Sequence, residues 1–421
     1  MTTKEQHQEL LSKYAEAVVK VGLNLRKGQR LLITNWLARG VPPAGRSLVY
    51  EVTKAAYAAG ARYVEVIWGD EEMHRIRLQN ATDDSFDDYP KFQVTTALEM
   101  IKNGDAMLSI SANDPDAFQG LDPERIATLQ KKHLKNYSEV GVLVSRNAMN
   151  WCVVAAASPA WARKIFPDLS QEAAEEKLWQ AIFETTRATQ PDPVAAWTEH
   201  IKNLRKRGDY LQAKKYSALH YKGPGTDLTL GLPQGHKWIS AQSLAENGVV
   251  FTANMPTEEV FTLPDRYRAE GTVAATFPLS YAGSLIEDFS VTFENGRIVK
   301  VNAKRNEAIL QKLVDTDEGS ARLGEIALVP ASSPIAQRAH LFYNTLFDEN
   351  ASCHIAIGRA YRFTLIGGEE LTEEEFVSAG GNVSLNHVDF MIGSPQMHID
   401  GIREDGTREP VMRQGEWAIN V

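Results

Sequence analysis

The N-terminal part of the chain alternates between short apolar runs and longer segments with apolar residues at helical spacing. Arg30–Thr34 is a run of strand length, Ser47–Ala59 has helical spacing, and Ala61–Trp68 is a second apolar run. Further strand candidates are Ala106–Ile110, Val140–Val144 and Cys152–Ala157. A strand–helix–strand order predicts parallel pairing through a right-handed crossover. The pattern therefore predicts an open α/β domain built on a parallel sheet.

Two other N-terminal segments carry local signals. Thr3 and Gln6 have the spacing of a capping box, and apolar residues recur at helical spacing after them, which predicts a helix at the start of the chain. The acidic segment 70–88 is expected to be a solvated loop. The alternative is that its charge draws a cationic peptide N-terminus towards a cleft.

After Tyr216 the pattern changes to short alternating runs separated by turn signals. Asn295 and Gly296 form the Asn-Gly pair of a tight hairpin between Val291–Phe293 and Ile298–Val301. Helices are predicted at Glu172–Arg187, Trp197–Leu211 and Asn306–Asp315, with a short one after Thr372. This half is predicted to be an antiparallel-rich α+β domain. We place the boundary near residue 190, which gives domains 1–190 and 191–421.

Composition narrows the class of protein without naming a reaction. A chain of 421 residues exceeds the size at which single cores stop growing, and 43% hydrophobic with 24% charged residues is typical of a globular protein. The net charge of −9 disfavours nucleic acid and anionic membranes as partners. The start of the chain lacks the apolar region of a signal peptide, and two cysteines are too few for a disulfide framework. These features predict a cytoplasmic protein without nucleic-acid or membrane partners.

Common catalytic motifs are missing from the sequence, including the Walker loop, HExxH, G-x-S-x-G and the dinucleotide fingerprint. The segment Gly223-Pro224-Gly225 is glycine-rich, but its proline and the strand expected after it favour a structural turn over a phosphate-binding loop.

Histidines in the C-terminal half lie within strand-like apolar runs. His387 and Asp389 are two residues apart in Asn386–Ile392, so on a strand their side chains share one face and can bind one ion. His354 lies in Ser352–Ile357, where a hydrogen-bonded core histidine is the more common interpretation.

Carboxylates add to this set. Glu325 lies in Leu323–Val329, and a lone carboxylate there is costly to bury unless it is paired or bound to a cation. Glu258 and Glu259 lie in Asn254–Val260. On an extended segment they point to opposite faces, so one of the two is expected to enter a site, and the sequence leaves open which.

Together these residues offer three or four acidic oxygens and two imidazoles within one domain. Nitrogen and oxygen donors without thiolates suit Zn, Co or Mn. The carboxylates exceed what one catalytic zinc needs, which indicates a two-metal hydrolytic site that lowers the pKa of a bridging water and polarises a carbonyl.

Four segments in the C-terminal half resemble the thermophilic metalloaminopeptidase family of the aminopeptidase T and S type. They are NMPTEEVFT (254–262), GEIALV (324–329), ENASCHIAIG (349–358) and HVDFMIGS (387–394), in the family's order. The resemblance extends over nearly the whole chain. It implies a two-metal exopeptidase that releases amino acids from peptides with a free N-terminus, and a homodimer.

The resemblance also implies a ligand set, carried over residue by residue. The metal ligands are Glu259, Glu325, His354, Tyr361, His387 and Asp389. Among them Glu259, Glu325 and Tyr361 are assigned to catalysis, and Tyr361 rests on the resemblance alone. Two alternatives remain: a two-metal hydrolase of another amide or ester, and a non-catalytic peptide- or metal-binding protein.

Overall fold

A computed structural model describes residues 3–281, 284–338 and 340–421 of the chain. In this part of the chain the helices are α1 (Lys4–Ala17), α2 (Arg46–Ala58), α3 (Glu71–Asn80), α4 (Lys91–Lys102), α5 (Pro123–Asn136), α6 (Ser138–Ser145), α7 (Pro159–Ile165), α8 (Gln171–Thr185), α9 (Pro193–Lys214), α10 (Glu307–Val314), α11 (Thr345–Asp348) and α12 (Glu373–Ser378). Among the described residues, no helix combines the length and the apolar composition that crossing a membrane requires.

The strands of the first half are similar in length, and those of the second half range from very short to long. They are β1 (Arg30–Thr34), β2 (Tyr63–Val66), β3 (Ala106–Ser111), β4 (Trp151–Ala155), β5 (Ala218–Gly223), β6 (Thr226–Gly231), β7 (Ile239–Ser240), β8 (Ser243–Leu244), β9 (Val250–Phe251), β10 (Val260–Thr262), β11 (Ala269–Ala274), β12 (Leu279–Tyr281), β13 (Ser284–Glu294), β14 (Arg297–Arg305), β15 (Leu323–Leu328), β16 (His354–Gly358), β17 (His387–Met391), β18 (His398–Ile402), β19 (Arg408–Arg413) and β20 (Glu416–Trp417).

The chain forms two compact units whose sequences interleave. Unit 1 consists of residues 1–200 and 242–256, and unit 2 of residues 201–241 and 257–421. The chain therefore passes from one unit to the other three times. The predicted division into folding domains at residue 190 stays a prediction.

Unit 1 contains a four-stranded sheet in the order β2-β1-β3-β4. Every neighbouring pair in it is parallel. Unit 2 contains antiparallel sheets, so the predicted fold class, an α/β part followed by an antiparallel-rich α+β part, is confirmed.

Local signals explain which elements of unit 1 follow the sequence prediction. Thr3 caps α1 with the full capping box, and β1 has the predicted bounds. The prediction of a strand at Val140–Val144 is wrong. The segment lies in α6, where Val140, Leu143 and Val144 are buried at helical spacing. A short apolar run does not distinguish the two structures by periodicity alone.

The acidic segment 70–88 is also more ordered than predicted. Asp70 accepts hydrogen bonds from the backbone N–H groups of Glu72 and Met73 and so caps α3. A 3₁₀ helix, Asp83–Asp87, follows. Carboxylates at the start of a helix are stabilising because they face its orphan N–H groups, so the expected solvated loop is wrong for residues 71–80.

The segment 242–256 joins the parallel sheet of unit 1 from a distant point in the sequence. The Val153 N–H donates to the Ala253 carbonyl at 2.7 Å, and the Met255 N–H donates to the Val153 carbonyl at 3.0 Å. These bonds extend the sheet beyond β4. Such pairing depends on residues about a hundred positions apart, so no local pattern predicts it.

Asn150 connects this segment to the rest of unit 1. The side chain is fully buried, its Nδ2 donates to the Leu23 carbonyl at 2.7 Å, and its Oδ1 accepts from Gln29 Nε2 at 2.9 Å and Asn247 Nδ2 at 3.0 Å. One amide therefore satisfies groups from two other segments, the connection that leads into β1 and the segment 242–256.

Replacing Asn150 with alanine is expected to destabilise unit 1 by about 3 kcal/mol, because it leaves several buried polar groups without a partner. For a unit of this size the midpoint of thermal unfolding should fall by about 6 to 12 °C. Asn80→Ala, at an exposed position, is the matched control and should change stability by less than about 0.5 kcal/mol. Equal midpoints for the two variants would contradict this role.

Unit 2 is built on two larger sheets. One has five strands in the order β17-β16-β15-β10-β7; in the other, β12-β13-β11-β6-β5-β18-β19-β20 are joined by β14 beside β13. The predicted Asn-Gly hairpin connects β13 to β14, with both turn residues at positive φ. The five-stranded sheet packs one face into the main core of the unit through Ile326, Ile355, Ile357 and Phe390. Its other face carries the site described below.

Candidate metal centre

The register of three central strands places two carboxylates in one row across the five-stranded sheet. Glu325 of β15 pairs with Ala356 of β16, and Ala356 pairs with Asp389 of β17. Directly paired residues of antiparallel strands have their side chains on the same face. Glu325 and Asp389 therefore stand on either side of a methyl group.

Two histidines stand on the same face in the neighbouring rows. His354 precedes Ala356 by two residues, and His387 precedes Asp389 by two residues and pairs with Gly358. Because side chains alternate with a period of two, all of these positions share one face. The small side chains of Ala356 and Gly358 leave space above the middle of the sheet.

Gly324 determines the orientation of the Glu325 side chain. The pairing of β15 with β16 shifts register between Leu323 and Glu325, which is a β-bulge. A Cβ atom at Gly324 would lie 2.3 Å from the Arg359 carbonyl oxygen, so no other residue fits there without moving the backbone. Bulges re-aim the side chains beside them, and here the bulge directly precedes the central carboxylate.

Glu259 reaches the cluster from the strand on the other side. Phe261 of β10 pairs with Ala327 of β15, and Glu259 precedes Phe261 by two residues. Its carboxylate is buried beside His354. Glu258 is buried as well, and its backbone N–H donates to Asn350 Oδ1 at 2.7 Å. The choice that the sequence left open thus falls on Glu259.

The side chains meet in two linked groups. His354 Nε2 lies 3.2 Å from Glu259 Oε2 and 3.5 Å from Glu325 Oε1. His387 Nε2 lies 3.7 Å from Glu325 Oε2 and 3.6 Å from Asp389 Oδ2. The two oxygens of Glu325 therefore face different imidazoles.

Backbone carbonyls fix both imidazoles. His354 Nδ1 contacts the Ser352 carbonyl at 3.1 Å, and His387 Nδ1 contacts the Arg359 carbonyl at 2.7 Å. A carbonyl only accepts, so each Nδ1 carries the proton and each Nε2 keeps its lone pair for the cluster in the neutral ring. This is the arrangement in which histidine binds metals.

Burial and mutual charge shift the pKa values of these groups. Burial raises the pKa of Glu325, and the charges of Asp389 and Glu259 raise it further, against a hydrogen bond with His354. Burial alone would lower the pKa of His354, but its contacts with Glu259 and Glu325 outweigh this and raise it well above the usual value. Burial also acts to lower the pKa of His387, but the charges of Asp389 and Glu325 outweigh it and raise the pKa. The metal-free cluster therefore holds protons, which a bound cation would displace.

The donor atoms fit divalent cations. Glu259, Glu325 and His354 each offer a ligand atom within 4.8 Å of the others, and so do Glu325, His387 and Asp389. Asp389 Oδ1 is buried and has no hydrogen-bond partner among the described residues, so one carboxylate oxygen is left for a ligand to satisfy. Nitrogen and oxygen donors without sulfur suit Zn, Co or Mn. Cys353, beside His354 in sequence, lies in the core on the opposite face.

Tyr361 lies next to the cluster rather than on the sheet. Its ring centroid is 4.7 Å from that of His387, and its ring stacks on Phe363. Burial raises the pKa of its hydroxyl, and the charges of Glu325 and Asp389 raise it further. The structure thus brings the sixth predicted residue to the other five.

Glu349 is a carboxylate near the cluster that residue-level reasoning missed. It lies on a 3₁₀ turn, Glu349–Ala351, five residues before His354. Burial raises its pKa well above the usual value, followed by the charges of Glu259 and Asp389. The signal available in the sequence was weak: an acidic residue in a segment that leads into a buried strand.

Carboxylates and imidazoles buried together on one sheet face are the donor set of a metal-dependent hydrolase. The model of the family described as thermophilic metalloprotease (M29) matches residues 7–417, and the chain belongs to this family.

Named relatives agree with this assignment. The chain is 47% identical to aminopeptidase AmpS of Bacillus subtilis over 97% of this chain and 98% of that protein. It is 44% identical to aminopeptidase T of Thermus thermophilus over the same shares. The solved structure of wild-type AmpT from Thermus thermophilus superposes with a TM-score of 0.91 at 43% identity, covering 97% of this chain and 99% of that one. The predicted enzyme class, a metalloaminopeptidase, is confirmed.

Proposed function

We propose that this metalloaminopeptidase removes N-terminal amino acids from peptides with two divalent ions held on the five-stranded sheet of unit 2. The observation that carries the proposal is the position of Glu325, which belongs to both groups of ligand atoms. One carboxylate shared between two sets of donors is suited to bridge two cations.

The ligands divide between the ions as the two groups do. Glu259, Glu325 and His354 would hold one ion, and Glu325, His387 and Asp389 would hold the other. Tyr361 adds a phenolic oxygen, because a cation nearby can lower the raised pKa of its hydroxyl.

Glu349 adds a further carboxylate whose charge acts on the cluster, and we include it among the oxygen donors. Bound ions would polarise the scissile carbonyl and lower the pKa of a water molecule.

The chain itself supplies orientation, burial and charge. The carbonyls of Ser352 and Arg359 keep the imidazoles in one tautomer, so no reorganisation is needed during the reaction. The cluster has more carboxylates than cationic groups, which favours a substrate with a free ammonium group. A carboxylate of the cluster also carries a proton from the attacking water to the leaving amine.

Metal identity, compartment and assembly belong to the same proposal. The donor set supports Zn, Co or Mn. Cys152 and Cys353 are both free and buried, which suits the reducing cytoplasm. A homodimer is supported by the family resemblance alone.

The test combines metal analysis with two substrates. The purified chain should contain about two divalent ions per molecule and should hydrolyse an unblocked dipeptide. The same dipeptide acetylated at its amino group should be cleaved at least about a hundredfold more slowly, because it lacks the charged amine. Product analysis by mass spectrometry measures both rates.

The alternatives give different outcomes. Equal cleavage of the blocked and unblocked dipeptides would indicate a general amide hydrolase. Stoichiometric metal without turnover of either substrate would indicate a binding protein. Each of these results contradicts the proposal.

A further inference from the structure

A concave region lies wholly within unit 1, and its lining includes none of the metal ligands proposed above. It has a volume of about 380 Å³ and is lined by residues that follow β1 and β2, among them Arg39 and Trp68, together with residues of α3 and α5. Its volume is within the range of small-molecule sites. Parallel α/β sheets bind ligands at the carboxyl ends of their strands, which is the position of these segments.

Two guanidinium groups line this cavity without a carboxylate partner. Arg39 Nη2 donates to the Leu129 carbonyl at 3.2 Å, and Arg77 Nη2 donates to the Asp88 carbonyl at 2.9 Å. Among the described residues, neither arginine forms an ion pair. Burial and, to a smaller extent, the charge of Arg77 lower the pKa of Arg39 to about 10. Two guanidinium groups therefore line one cavity without a direct carboxylate partner.

Two histidines that line the cavity have lowered pKa values, to which the positive charges of the arginines contribute. Burial and the charges of Arg39 and Arg77 lower the pKa of His74 to about 4. Burial also lowers the pKa of His133 to about 4, and its Nε2 donates to the Trp36 carbonyl at 2.7 Å. Both rings are neutral near pH 7.

Two carboxylates also line the cavity, at its rim. Asp70 and Asp88 both line the cavity and are exposed to solvent. Asp70 Oδ1 is already engaged, because it accepts hydrogen bonds from the Glu72 and Met73 N–H groups at 2.9 and 3.3 Å. These carboxylates are more exposed to solvent than Arg39 and Arg77, which are both partly buried.

Aromatic rings form the rest of the lining. Trp68 is 41% exposed at the mouth, and Tyr89, Tyr137 and Phe86 line the cavity as well. Aromatic walls bury flat rings with a favourable stacking geometry. A planar guanidinium binds a carboxylate or a phosphate through two parallel hydrogen bonds.

We propose that this cavity binds a small organic anion, a carboxylate or a phosphate carried on a flat aromatic group. The anion pairs with Arg39 and Arg77, and the ring lies against Trp68. This second site is separate from peptide hydrolysis and does not depend on the metal ligands.

Isothermal titration calorimetry on the full chain tests the site with two probes. Adenosine monophosphate supplies a phosphate, and N-acetyl-tryptophan supplies a carboxylate while lacking the free amine of an aminopeptidase substrate. At least one should bind with a Kd of about 1 mM or tighter. Binding of only one probe identifies the preferred anion and supports the site.

Variants locate the bound probe. Arg39→Gln should weaken binding about tenfold or more. Arg39→Lys should lose less, because it keeps the positive charge but cannot form two parallel hydrogen bonds with the anion. Trp68→Ala should weaken it through the lost ring contact. Arg62→Gln, at an exposed position outside the cavity, is the matched control. Arg77→Gln repeats the test if Arg39→Gln does not fold.

Two results overturn the proposal. One is the failure of both probes to bind at millimolar concentration. The other is binding that Arg39→Gln, Arg77→Gln and Trp68→Ala leave unchanged, since an anion held at the metal centre would not respond to these residues.

Discussion

Glu325→Gln is expected to reduce kcat/KM for an unblocked dipeptide about a thousandfold, equivalent to about 4 kcal/mol of transition-state stabilisation. The reason is that Glu325 belongs to both groups of ligand atoms, so the substitution would weaken metal binding at both of the proposed ion sites. The fold should survive. Burial already raises the pKa of this carboxyl, and a neutral amide of the same shape removes a charge that is costly to bury.

The matched control is Glu294→Gln, an exposed carboxylate at the end of β13 in the same unit. It should retain full activity and full metal content. Circular dichroism should give the same spectrum for both variants. Full activity of Glu325→Gln would contradict the assignment of Glu325 to the site.

Removing the metal with a chelator is expected to abolish activity and to lower the midpoint of thermal unfolding. A ligand present at a thousandfold excess over its Kd stabilises the folded state by about 4 kcal/mol, and losing this corresponds to about 10 °C for a unit of this size. The physical cause is the cluster itself, where Glu259, Glu325 and Asp389 meet beside only two imidazoles. Adding back a divalent ion should restore both properties.

Glu325→Gln is also the internal control for this experiment. With one shared carboxylate lost, its unfolding midpoint should respond less to the chelator than that of the unmodified chain. Activity and stability that stay constant while metal analysis records full removal would contradict a catalytic metal centre.

Elements with strong local signals were predictable from the sequence. The capping box fixes the start of α1, and an apolar run bounded by polar residues fixes β1. The pair His387 and Asp389 follows from the period of two, since any strand at that place puts both on one face. These features depend on residues close together in the chain.

Features that depend on distant contacts were not predictable. The choice of Glu259 over Glu258 needs the pairing of β10 with β15, and the aim of Glu325 needs the bulge at Gly324. Tyr361 and Glu349 lie outside the strands, where no periodicity marks a face. The resemblance to a known family supplied Tyr361, and residue-level reasoning alone did not supply Glu349.

The interleaving of the two units has a consequence for synthesis. Unit 1 includes residues 242–256, so it is incomplete when residue 200 leaves the ribosome. At about 5 to 20 residues per second, the 56 residues from 201 to 256 take roughly 3 to 11 s to add. During this interval Asn150 lacks its partner Asn247, and β4 has an open edge. The N-terminal unit therefore begins first but is completed only after translation of unit 2 is under way.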